Sequence, residues 1–177
     1  NPSLMRKAGA KNYRLYSKQI LKICKKKPIS FEVFADDQKS MIEQGIKINT
    51  WGKNVFVKVP VVNSKNKFTG NVISLLNDKD IKLNIRAVYT GKQTGKILEL
   101  IDKKTKVIIS SIAGRAGDTG KDPVPEFIKS IKLAKKFNNV EILWASVREP
   151  YNYIQAQQLG CHIITVPPTI IEKIEKF

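Results

Sequence analysis

Cysteine, histidine and arginine are scarce in this 177-residue chain, and long apolar runs are missing. The two cysteines, Cys24 and Cys161, lie far apart without Cys-x-x-Cys or metal-ligand spacing. They read as reduced thiols of a cytosolic protein, not as a disulfide framework, and Cys161 as a small apolar packing residue. No stretch approaches the ~18 apolar residues of a membrane span, so a soluble chain with no membrane partner is expected. The opening "NPSLMRKAGA" has neither the apolar core nor the cleavage pattern of a secretion signal. His162 has no second histidine to work with and sits at a strand start, so it reads as structural. No glycine-rich dinucleotide fingerprint follows any strand.

Lysine, by contrast, is abundant. The formal charge of +17 invites a nucleic-acid reading, but only five of the 32 basic residues are arginine. The lysines are spread over nearly every helix and loop, whereas a nucleic-acid binder concentrates charge and interleaves it with exposed aromatics. The densest clusters, "KICKKK" at 22–27 and "DKKTK" at 102–106, read as solvated helix ends. No nucleic-acid partner is expected. The charge serves solubility and draws in anionic substrates.

With 42% hydrophobic residues the chain can bury one sizeable core. Strands are expected at 29–35, 55–60, 83–90, 107–114, 141–146 and 162–167, with amphipathic stretches at 36–51, 69–78, 92–103, 124–137 and 150–160 between them. In the fourth of these stretches Phe127, Ile128, Ile131, Ala134 and Phe137 fall at helical spacing on one side. Asp122 and Pro123 suit its start, and Gly160 is a helix stop. Alternating strands and helices indicate parallel βαβ units, and strand starts recur every 20–35 residues or so. That regularity favours a (β/α)8 barrel over an open doubly wound sheet. Six strands are visible where such a barrel needs eight. A strand–helix–strand segment is therefore expected before Asn1. The chain is read as a single barrel domain over 1–177, incomplete at its N-terminus and lacking the first strand and helix.

The chemistry centres on "VFVKVPVV" at 55–62. Val55, Val57 and Val59 share one strand face, and Phe56, Lys58 and Pro60 the other. β-Branched residues suit the interface with helices, which turns Lys58 into the barrel, near the strand end where barrel enzymes carry catalytic groups. A desolvated lysine becomes a neutral amine able to attack a carbonyl and form a Schiff base. A lysine paired structurally with Glu32 is the competing reading. In "ISFEVFA", Ser30, Glu32 and Phe34 share a face, and Glu32 is placed to shuttle protons. Asn84, at the start of the next strand, is placed for a substrate hydroxyl. Arg115, Ser146 and Arg148 lie at or just past the ends of later strands and form a candidate phosphate clamp. Salt bridges to Asp118 or Glu149 compete with that role. Trp51 and Trp144 read as core fillers.

Taken together, these residues resemble the transaldolase and fructose-6-phosphate aldolase family. "NPSL" at 1–4 is similar to the family's second-strand segment, "SFEV" at 30–33 to its Ser-x-Glu strand, and "VKVP" at 57–60 to its Schiff-base-lysine strand. "LNIRAVYT" with Gln93 resembles the Asn-x-Thr strand and the glutamine that follows it. "SSIAGR" at 110–115 and "ASVREP" at 145–150 resemble its phosphate sites, and "LGCHIITVPP" at 159–168 its last strand. The resemblance runs through the whole chain in order. It implies a (β/α)8 barrel in which Lys58 forms an imine with a ketose or dihydroxyacetone and Glu32 relays protons through a water. Asn1, Ser30 and Asn84 would contact substrate hydroxyls or the lysine, and Arg115, Ser146 and Arg148 would bind the sugar phosphate. It implies no metal or organic cofactor, phosphorylated sugars as partners, and a place in the pentose phosphate pathway of the cytoplasm. A homo-oligomer stays open.

Two departures from the family pattern bear on activity. The family's catalytic aspartate belongs to a first strand this chain lacks, and without that strand the barrel would have two unpaired edges. The threonine of Asn-x-Thr, which helps hold the catalytic water, is Arg86 here. Arg86 shares a face with Asn84 and is expected inside the barrel. There it would depress the lysine pKa, pair with Glu32, or bind an anionic substrate group. In a smaller change, Ile112 stands where the family has an aromatic residue. The leading expectation is a transaldolase-like enzyme that transfers a dihydroxyacetone unit. Its alternatives are aldolase-type cleavage by the same imine and an impaired sugar-phosphate-binding barrel. Nucleic-acid binding comes third and would require one continuous basic face and a steep salt dependence.

Overall fold

The computed structural model describes residues 5, 6 and 8–176. It is an α/β structure with two compact units, Asn1–Asn84 and Ile85–Phe177. Among the described residues, the first unit holds α1 (Tyr13–Cys24), β1 (Ile29–Glu32), α2 (Gln38–Asn49), β2 (Val55–Pro60) and α3 (Gly70–Asn77). Strand β3 (Leu83–Val88) begins in this unit and ends in the second. The second unit continues with α4 (Gly91–Leu98), β4 (Val107–Ile112), α5 (Gly114–Gly117), α6 (Val124–Ala134), β5 (Val140–Ala145), α7 (Tyr151–Leu159), β6 (Ile163–Ile164) and α8 (Pro168–Ile174).

In the first unit β1 and β2 run parallel, with Ile29 opposite Val55 and Glu32 opposite Lys58. The Val57 N–H donates to the Lys82 carbonyl at 2.8 Å, so β3 starts on the other side of β2. Val55, Val57 and Val59 are fully buried. Helix α2 lies on that face so closely that a Cβ on Gly45 would meet the Leu76 side chain at 2.9 Å and Val57 at 3.4 Å. The valine face is therefore the helix-covered one, and Lys58 occupies the opposite face, as the alternation requires. Helix α2 starts where Asp37 Oδ1 accepts the Ser40 N–H at 2.9 Å. Strand β1 is shorter than the 29–35 expected because Gln44 of α2 takes over: its Oε1 accepts the Phe34 and Ala35 N–H groups at 2.7 and 3.0 Å.

In the second unit β4 pairs parallel with β5 from Val107 opposite Val140 to Ile112 opposite Ala145, and β5 pairs parallel with β6. Helix α6 packs Phe127 against Trp144 of β5, ring centroids 4.5 Å apart. Trp144 is 1% exposed and fills core as expected. The apolar stripe of α6 is narrower than its spacing suggested: Phe127, Ile131 and Ala134 are buried, but Ile128 is 52% exposed. The place beside Ile131 goes to Ser130, whose hydroxyl meets that of Thr94 on α4 at 2.8 Å, so α6 turns Ile128 to solvent. Asp122 accepts the Val124 N–H at 2.9 Å at the helix start. Gly160 ends α7 in the left-handed region, φ 76°. Strand β6 is two residues long against the 162–167 expected; beyond it Thr165 still donates its N–H to the Trp144 carbonyl at 3.1 Å, and Pro167 then caps α8. His162 has the structural part expected of it: its backbone N–H donates to the Ile142 carbonyl and its Nδ1 accepts the Ile142 N–H, both at 3.0 Å.

Candidate active site

The first unit assembles four of the expected site residues on one face. In the β1–β2 register Glu32 stands directly opposite Lys58, on strands about 4.8 Å apart. Glu32 is 7% exposed and Lys58 half-buried. Two residues back on β1, the Ser30 hydroxyl accepts a hydrogen bond from Asn84 Nδ2 at 2.9 Å. Because β2 lies between β1 and β3, this bridge crosses the β2 face that carries Phe56 and Lys58. Ser30, Glu32, Lys58 and buried Asn84 thus share one wall. Asn1 lies outside the described residues.

Tyr13 was invisible to sequence reasoning. From α1 it reaches the outer side of β1, where its hydroxyl accepts the Glu32 N–H at 2.8 Å and donates to the Glu32 carbonyl at 3.3 Å. A single side chain thereby satisfies both backbone groups that a further strand would otherwise pair. The ring sits among Phe31, Phe34 and Trp51 at centroid distances of 6.3, 4.5 and 5.8 Å. Burial pushes the Tyr13 hydroxyl up to about 12, so it stays protonated and remains a donor. No periodicity links Tyr13 to Glu32. Nineteen residues and a turn separate them.

The second unit carries the residues expected to bind an anion. Arg115 lies exposed on the short α5, directly after β4. Ser146 follows β5 with φ 68°, in the left-handed region that non-glycine residues seldom adopt. Gly114 approaches this turn so closely that a Cβ there would fall 1.9 Å from the Ser146 carbonyl oxygen and 2.8 Å from Arg148 Cγ. Asn152 of α7 secures the same loop, its Oδ1 accepting the Arg148 N–H at 2.9 Å. Of the two carboxylates considered as competitors, Asp118 is the one that pairs with Arg148. Arg148 Nε donates to both of its oxygens at 3.1 and 3.2 Å, and Nη2 donates to Oδ2 at 2.6 Å. That hydrogen bond holds the Asp118 carboxyl below the usual carboxylate range, with the charges of Arg148 and Arg115 adding to it. Arg115 also lines a half-open cleft of about 750 Å3 with Tyr89, Thr90, Asp118, Lys121 and Glu126.

Three further positions can be placed. Arg86 is half-buried on β3, and the next residue, Ala87, has φ 60°. Ile112 is half-buried at the end of β4. Gln93 closes a capping box with Thr90 at the start of α4. Among the described residues no three His, Cys, Asp or Glu side chains are grouped to hold a metal ion, and no helix is long and apolar enough to cross a membrane. Burial pushes the Cys161 thiol up to about 11, which fits an inert packing residue.

The fold is that of an α/β protein whose first unit sets a lysine opposite a buried carboxylate on parallel strands. Comparison with known proteins narrows this class. The sequence matches the family described as transaldolase/fructose-6-phosphate aldolase over residues 1–177. Probable transaldolases of Sulfurihydrogenibium sp., Thermoplasma volcanium and Herpetosiphon aurantiacus are 34%, 32% and 29% identical to it. Each alignment covers 99% of this chain and 76–77% of the relative. The chain belongs to the transaldolase/fructose-6-phosphate aldolase family, an enzyme family of transferases and aldolases.

Proposed function

We propose that the protein is a transaldolase-like enzyme of sugar-phosphate metabolism, a (β/α)8-barrel enzyme that moves a dihydroxyacetone unit from a ketose phosphate to an aldose phosphate. The observation that carries this is the register pairing of Glu32 with Lys58 on one strand face. In this reading the neutral Lys58 amine adds to the ketose carbonyl, and loss of water leaves the protonated imine. A general base takes the proton of the C4 hydroxyl, and cleavage of the C3–C4 bond sends its electron pair into the iminium, giving an enamine and releasing an aldose. The enamine then attacks an acceptor aldehyde, and hydrolysis frees Lys58. Glu32 moves protons through a water at the addition and dehydration steps. Ser30, Asn84 and Asn1 meet substrate hydroxyls or the lysine. Arg86 takes an anionic substrate group or tunes the amine. Arg115, Ser146 and Arg148 hold the phosphate.

Aldolase-type cleavage shares the first half of this sequence and differs only in protonating the enamine. A carboxylate at position 32 favours transfer, because the aldolase subgroup tends to carry glutamine there. Reduction with borohydride in the presence of fructose 6-phosphate or dihydroxyacetone tests the imine. Mass spectrometry is expected to find the adduct on the peptide containing Lys58, and none in Lys58→Ala. No adduct on Lys58 in the folded protein would remove the enzyme reading and leave a sugar-phosphate-binding protein. Product analysis with an aldose phosphate acceptor then separates transfer from cleavage.

A further inference from the structure

Arg148 meets Asp118 through one edge of its guanidinium only. Nε and Nη2 are engaged, and among the described residues nothing accepts from Nη1. The edge formed by Nη1 and the second Nη2 hydrogen meets no acceptor among the described residues. We propose that Asp118 is a positioning residue: it grips the Nε–Nη2 edge of Arg148 and presents the other edge, already oriented, to the phosphate of the substrate. This rests on the reading of Arg148 as a phosphate ligand.

The loop needs such a device. Its backbone is fixed twice, by the close approach of Gly114 to the Ser146 carbonyl and by Asn152 holding the Arg148 N–H. The side chain of Arg148 is 48% exposed and would otherwise sample many rotamers, whose loss weakens binding. Asp118 is tied to the same framework, since its N–H donates to the Gly114 carbonyl at 2.8 Å. Carboxylate, close-approach glycine and arginine therefore form one closed arrangement. A carboxylate that competed with phosphate would give the opposite sign of effect. The occupied edge argues against competition, because an arginine bound along one edge keeps a second bidentate face for an anion.

The test is calorimetric titration with inorganic phosphate of the wild-type protein, Asp118→Asn, Asp118→Glu and Arg148→Ala. Asp118→Asn is isosteric and keeps one acceptor, so folding is preserved. Expected are a roughly fivefold weaker phosphate affinity in Asp118→Asn, recovery to within about twofold in Asp118→Glu, and a larger loss in Arg148→Ala. In turnover, Asp118→Asn raises KM for a ketose phosphate by the same factor while kcat and KM for dihydroxyacetone hold steady. Unchanged or tighter phosphate binding in Asp118→Asn, with weaker binding in Arg148→Ala, would overturn the positioning role and leave the clamp intact. Unchanged binding in Arg148→Ala would remove the clamp and this role with it.

Discussion

The two units place their candidate site residues by different means. In the first, Glu32 and Lys58 sit within paired strands, so the β1–β2 ladder fixes their spacing and face. In the second, Arg115, Ser146 and Arg148 stand just past strand ends. There a glycine contact, an asparagine hydrogen bond and a one-edged ion pair replace the ladder. Strand-borne groups inherit precision from the sheet, whereas loop-borne groups must be held one by one. The first arrangement is vulnerable to loss of chemistry, the second to loss of geometry.

The largest effect that would sharpen this contrast is expected at Glu32. Glu32→Gln keeps size and hydrogen-bonding reach but removes the base, so kcat for transfer to an aldose phosphate should fall by about 10²-fold or more. Far-UV circular dichroism and phosphate affinity should match the wild type. A fall of less than about tenfold would show that the buried carboxylate is packing for Lys58 and not its proton relay.

The second unit is expected to break on sterics. A Cβ at Gly114 would lie 1.9 Å from a backbone oxygen, which has no rotamer by which to retreat. Gly114→Ala should cost about 2–3 kcal/mol in urea unfolding, the range for overpacking that displaces backbone. Phosphate binding should be lost while borohydride still traps dihydroxyacetone on Lys58. Loss of trapping as well would mean that the two sets of side chains cannot be perturbed separately.

The same contrast explains how much could be read from sequence. The faces of β2 and β1 follow from period-two alternation, and the buried valines opposite Lys58 bear this out. Gly160 acts where local chemistry put it, whereas the cap of α6 is Pro123 and not Asp122, which accepts the Val124 N–H from just outside the helix. The shorter β1 was not legible, because its last N–H groups go to Gln44, a long-range side-chain partner. The α6 stripe was misjudged at Ile128, since helical spacing cannot tell that a serine pair will claim the neighbouring position. Asp118 could be named as a candidate partner of Arg148, but which guanidinium edge it holds is a fact of three dimensions.

Tyr13 is the smallest and most local test of what holds the strand-borne pair. Its hydroxyl supplies Glu32 with both an acceptor and a donor on the outer side of β1, while its ring packs against Phe31, Phe34 and Trp51. Tyr13→Phe keeps the ring contacts and deletes only the hydroxyl, so it isolates the polar part. Stability should fall by about 1–2 kcal/mol in urea unfolding, the usual cost of leaving buried backbone groups without a partner. Amide exchange at Glu32 should quicken before exchange in β2 does, because the lost bond belongs to the strand's outer side. Activity should drop only about two- to threefold, since the β1–β2 register that sets Glu32 opposite Lys58 does not depend on the hydroxyl. A loss below about 0.5 kcal/mol would mean that solvent serves the edge of β1 as well as Tyr13 does. In that case the ladder to β2 alone would account for the position of Glu32.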